Sequence, residues 1–142
     1  MGKTNRKIAK KQQKLKETDT NQKIEQLKKQ MRALENEAKY ERAIEILAEL
    51  IDLKCYEPDV IFAGARDYFM IGDYARAAKW VDNTLHFAPQ HIDARILLTR
   101  LCLLEDRVDD SLAIFAFIFK NYADRLSDAQ KGEAEEILAY YG

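Results

Sequence analysis

Three arginines, Arg32, Arg66 and Arg100, stand 34 residues apart, and the acids Glu25, Asp59 and Asp93 repeat at the same interval, each seven positions ahead of an arginine. A guanidinium is planar and permanently charged, so an arginine repeated at a fixed spacing suits bidentate contact with a row of carboxylates. The same spacing admits a plainer reading, in which each arginine pairs with the acid two turns earlier on its own helix and merely keeps the surface soluble. Both readings stay open at the level of sequence. A second charged set, Lys3, Arg6, Lys7, Lys10, Lys11 and Lys14, recurs at steps of three and four, so a helix would present it as one stripe. Such a stripe is a footprint for phosphate backbones or for an acidic protein surface. A solvated arm with no partner of its own is the favoured reading, with nucleic acid or ribosome contact as the alternative. The segment lacks aromatics for base stacking, so sequence-specific reading of bases is not expected.

Chemistry beyond binding finds little support. Gly2-Lys3-Thr4 matches the tail of a phosphate-binding loop, but the upstream glycine and preceding strand are missing. His86 and His91 are five apart with Pro89 between them, which suits capping or surface roles better than a metal pair. Cys55 and Cys102 lack CxxC or Cys/His spacing and read as reduced core thiols. No Ser/His/Asp grouping or activated cysteine can be assembled. The sequence therefore predicts a protein that is not an enzyme, with no metal and no cofactor.

The elements that must position the arginines are helices. The chain has 142 residues, 47% hydrophobic and 33% charged, with only five Gly and two Pro to interrupt it. That balance suits one soluble helical domain. Residues 1 to 31 carry ten Lys and Arg against Glu17, Asp19 and Glu25, a net +7, although the whole chain is −1, so the remainder is −8. From Met1 to Asn21 only Ile8 and Leu15 are sizeable apolar groups, and the segment reads as a flexible basic arm or frayed helix. No apolar run approaches a membrane span, no bulky anchors mark the arm, and Arg6 occupies the place where a myristoylation signal requires Ser or Thr. A cytoplasmic protein without membrane contact is the expectation.

From Ile24 onward apolar residues recur at helical spacing, with breaks near 36–39, Glu57-Pro58, Gly72-Asp73, Pro89-Gln90, 105–107 and 123–127. The pattern predicts helices over about 22–37, 41–54, 58–71, 74–87, 91–105, 108–122 and 127–141. Tyr40, Tyr74 and Val108 are 34 apart, as are Ala43, Ala77 and Ser111, and Leu47, Val81 and Phe115. The period is 34.

That period, with two helices per unit, resembles the tetratricopeptide repeat. The unit at 58–91 carries the clearest match: Tyr68, Gly72-Asp73-Tyr74 at the turn, small Ala77 at the helix contact and Pro89 at the end. In the unit at 24–57 Ala38 replaces the turn glycine, and in the unit at 92–124 Asp106, Val108 and Ser111 depart from the pattern. The resemblance implies an all-α, right-handed superhelical array of antiparallel helix pairs, an α-solenoid over 22–142 following the arm at 1–21. Stacked repeats need a cap, and 127–141 reads as one, with Ser127 and Gln130 as a capping box and Ala134, Ile137, Leu138 and Tyr141 on one face. Its expected packing partner is the stretch 112–119.

In such proteins the first helices of successive units line a concave groove. Carried over, that places Lys28, Arg32 and Glu35 from the first unit in the groove, Phe62, Arg66, Phe69 and Met70 from the second, and Ile96, Arg100 and Leu103 from the third. The clamp by which one variety of these repeats holds the C-terminal carboxylates of heat-shock chaperones does not carry over. Lys28 fits one of its positions, but Arg32, Ala63, Asp93 and Leu97 stand at the others. The resemblance implies a protein-binding scaffold or adaptor whose partner is another protein with an acidic or helical segment. The alternatives are a nucleic-acid- or ribosome-associated factor acting through the arm, with nucleic acid not the favoured partner, and a chaperone for a secreted protein.

Overall fold

The computed structural model describes residues 2–141, and side chains from residue 4 to residue 140. Lys3 of the expected basic stripe and Tyr141 of the last helix face therefore lie outside the described side chains. Seven α-helices occur among the described residues: α1 (Gly2–Asn36), α2 (Tyr40–Asp52), α3 (Pro58–Met70), α4 (Tyr74–Phe87), α5 (Ile92–Leu104), α6 (Val108–Tyr122) and α7 (Asp128–Tyr141). A short 3-10 turn at Ala123–Arg125 joins the last two. The chain divides into two compact units, Met1–Tyr56 and Glu57–Gly142.

In the first unit α1 packs on α2, and Leu27, Met31, Ala43, Leu47 and Leu50 are buried. The structure moves one boundary. The expected division between an arm and a first helix at 21/22 falls inside α1, which runs without a break from Gly2. The physical reason is that 3–36 contains no Gly or Pro and is dominated by Lys, Gln, Glu and Leu, all strong helix formers.

The second unit builds its core in two clusters. Ala65, Ala77, Val81, Ala94, Leu97 and Leu101 form one, flanked by Phe62, Tyr68, Phe69 and Trp80. Ala65 and Ala77 have no exposed surface, which lets α3 and α4 approach closely, and the Tyr68 and Trp80 rings stack at 6.4 Å beside them. Ile96, Phe115, Ile118, Leu126, Ala134 and Ile137 form the other, so α7 packs on α6 through the expected apolar face. Phe117 and Phe119, also in the expected packing stretch, stay partly exposed. Arg95 lies over the Phe117 ring at 4.7 Å.

The period of 34 is written in the backbone more evenly than in the residues. Ala38, Gly72 and Asp106 all take left-handed φ values, 58°, 81° and 57°. Around each, the same two hydrogen bonds recur: the Lys39, Asp73 and Arg107 amides donate to the Leu34, Tyr68 and Cys102 carbonyls at 2.8, 3.0 and 2.9 Å, and the Ala38, Gly72 and Asp106 amides to Glu35, Phe69 and Leu103. This pair closes a helix by satisfying its last carbonyls, the Schellman arrangement. The turns at Ala38 and Asp106, where the sequence departs from glycine, are thus built like the one at Gly72. Lys54, φ 61°, closes α2 in the same way. At the end of α4 the device changes, because Pro89 disfavours the helical conformation at Ala88, which takes φ −139° and ψ 84°.

Candidate functional site

The cleft of the second unit is assembled from α3, α5 and α7. It has a volume of about 350 Å³ and is lined by Phe62, Arg66, Phe69, Met70, Asp93, Leu97, Arg100 and Glu133. Pro58 starts α3 by supplying a preset φ at a position whose amide needs no partner. The turns of α3 then bring Phe62, Arg66, Phe69 and Met70 to one side at steps of four, three and one. α5 is capped by His91, whose Nδ1 accepts from the Ala94 amide at 3.1 Å while Nε2 meets Asp59 Oδ1 at 3.0 Å. With Nδ1 accepting, the proton is carried on Nε2, so the imidazole caps α5 and donates to Asp59 of α3. The ring also lies 4.9 Å from Phe62. α7 begins with the expected capping box, the Ser127 amide donating to Gln130 Oε1 at 2.9 Å and the Gln130 amide to Ser127 Oγ at 3.1 Å.

The acids and arginines do not pair as the seven-residue spacing suggested. Asp59 meets His91, Asp93 accepts from Gln130 Nε2 at 2.9 Å, and Glu25 pairs with Lys28 at 3.2 Å. Arg100 instead pairs with Glu133 of α7 at 2.8 Å. Arg66 lies over the Phe62 ring, its guanidinium carbon 5.7 Å from the centroid. The reason is distance: seven residues of helix rise about 10.5 Å, more than a direct ion pair spans, whereas neighbouring helices bring groups into contact.

Of the expected groove residues, the structure brings Phe62, Arg66, Phe69, Met70 and Arg100 together in the cleft. Two others lie elsewhere. Ile96 is buried in the core between α5, α6 and α7, and Leu103 packs against that same core. A step of one residue turns a helix by about 100°, so Leu97 faces the cleft where Ile96 does not. Lys28, Arg32 and Glu35 belong to α1 in the first unit, where Arg32 is exposed and Lys28 and Glu35 are partly buried. Glu133 was missed as a lining residue, because only the packing of α7 against α5 places it beside Arg100.

Two charged groupings lie at the N-termini of α4 and α6, outside the cleft lining. The carboxyl of Asp73, N-cap of α4, is held below its usual range by hydrogen bonds from the Arg76 side chain and amide. The Arg107 guanidinium is pushed up by hydrogen bonds to Asp110 and Glu105. Both cysteines are buried and free, and burial raises the Cys102 thiol, which opposes thiolate chemistry. Among the described residues no cluster of three or more His, Cys, Asp or Glu is placed to hold a metal. No helix there is long and apolar enough to cross a membrane.

Helix pairs closed by a turn repeating every 34 residues define the class: the chain has the tetratricopeptide-repeat fold. Solved structures place it there. The type III secretion translocator chaperone SycD of Yersinia enterocolitica matches with a TM-score of 0.66 at 16% identity, over 82% of this chain and 92% of that one. The Sgt2 TPR domain of Aspergillus fumigatus matches with a TM-score of 0.68 at 18% identity, over 80% and 76%. No protein-family model and no curated protein sequence matches the chain.

Proposed function

We propose that this chain is a non-enzymatic, cytoplasmic protein-binding scaffold that holds a partner's peptide or helix in the cleft between α3, α5 and α7. The observation that carries this reading is the composition of the cleft. Phe62, Phe69, Met70 and Leu97 supply apolar contact area, and Arg66 and Arg100 stand among them. Aromatic and arginine side chains in a concave site are the usual anchors of protein recognition. Asp93 and Glu133 also line the cleft, and Glu133 already pairs with Arg100. A partner that brings a carboxylate to Arg100 must displace Glu133.

The test is selection of ligands from a displayed peptide library, followed by calorimetry on the tightest. Peptides enriched in apolar residues with acidic flanks are expected, with amide shift changes centred on Phe62, Phe69 and Leu97. Replacing Arg66 and Arg100 together with alanine should weaken binding by about 2–4 kcal/mol, the range for hot-spot residues. Unchanged affinity, or shifts mapping away from the cleft, refutes the proposal. A narrower reading is a chaperone for a secreted helical protein. It is favoured by the likeness to SycD, which runs over 92% of that chaperone. Co-purification of a secreted protein that loses its grip on the double-alanine variant supports it.

A further inference from the structure

We propose that the N-terminal part of α1 is a binding element for the backbone of duplex DNA, independent of the cleft. Every residue from Thr4 to Asp19 is exposed, so about 24 Å of helix stands clear on all sides. Between Thr4 and Lys16 it carries Arg6, Lys7, Lys10, Lys11, Lys14 and Lys16, and no acid. At 100° per residue, Arg6, Lys7, Lys10, Lys11 and Lys14 fall within an arc of about 140°. That stripe exists only in a helical segment, and the structure makes the segment helical. Like charges at steps of three and four repel along a helix, and nothing in this stretch offsets them, so a polyanion laid along the arc relieves a cost the free helix carries.

The remaining features select the polyanion. Exposed large apolar groups in the segment are limited to Ile8 and Leu15, two turns apart, too few to anchor the helix on a protein or a lipid surface. The absence of aromatics removes the stacking platform that single strands use. A lone helix is about 10–12 Å across with its side chains and enters the B-DNA major groove, about 12 Å wide. The A-form groove of duplex RNA is too narrow to admit it. Contact is made through phosphates, without base readout.

The experiment uses the full chain and a fluorescein-labelled mixed-sequence 20-base-pair DNA duplex, followed by fluorescence anisotropy. If four phosphates are neutralised, the affinity falls about 150-fold between about 50 and 200 mM salt, from a slope of about 0.9 per phosphate. The variant K7Q/K10Q/K11Q/K14Q keeps the helicity, since Gln and Lys are similar helix formers, and is expected to bind at least about tenfold more weakly at the lower salt. K7R/K10R/K11R/K14R retains binding. Four results overturn the proposal: no saturable binding at low salt, unchanged affinity in the glutamine variant, equal affinity for an RNA duplex of the same length, or competition by poly-glutamate as effective per charge as unlabelled DNA.

Discussion

Replacing Gly72 with alanine tests the claim that a left-handed residue every 34 positions sets the repeat. Gly72 has φ 81°, and a Cβ built there meets nothing within 4 Å, so the substitution adds no clash and isolates the backbone term. A non-glycine residue in that region costs about 1–2 kcal/mol, of which about 0.4–1 kcal/mol is returned because alanine restricts the unfolded chain. A net loss of about 1 kcal/mol is expected for Gly72→Ala. The reciprocal change, Ala38→Gly at φ 58°, should stabilise by about the same amount. The assay is urea unfolding followed by circular dichroism and by fluorescence of the one tryptophan, Trp80, which lies in the helix that Gly72 introduces. The Gly72→Ala midpoint should fall at unchanged slope. Stability that is unaltered in Gly72→Ala, or lower in Ala38→Gly, refutes the reasoning.

Three further outcomes follow from particular side chains. Ser111 Oγ is buried without a hydrogen-bond partner among the described residues, at the position where the two preceding repeats have Ala43 and Ala77. Ser111→Ala should therefore stabilise by about 1 kcal/mol in urea unfolding, and destabilisation counts against it. Ser127→Ala breaks one of the two capping-box bonds of α7 and should cost about 0.5–2 kcal/mol, seen as faster amide exchange at Gln130; unaltered exchange would contradict the cap. The Asp73 carboxyl is lowered in the fold from its ordinary 3.8. Its stabilisation is thus present above that value and is lost as pH falls through the lower, folded one. The wild-type advantage over Asp73→Asn should accordingly be steady at neutral pH and shrink in acid, and an advantage that grows in acid reverses the sign and defeats the argument.

The turns explain why so much of the fold was legible before any coordinates. Helix ends are decided within four or five residues by proline, by capping side chains and by which residue accepts a positive φ, so the spans from α2 to α7 and the Ser127 cap could be read locally. Ala43, Ala77 and Ser111, all buried, needed only subtraction to reveal the period. For 1–21 low hydrophobicity argues only against burial, which left arm and frayed helix both open; the helix there is exposed and rests on residue propensity.

The sequence by itself determined the helices, their 34-residue interval and the side of α3 that carries Phe62, Arg66 and Phe69, because these follow from rotation per residue and local hydrogen bonding. Tertiary structure alone decided that Leu97 faces the cleft and Ile96 the core, that Glu133 reaches Arg100 across 33 positions, and that Asp59 meets His91 rather than Arg66. Those outcomes depend on the angle and distance at which one helix crosses another. Packing fixes both, and no periodicity along a single helix encodes which charge its neighbour will present.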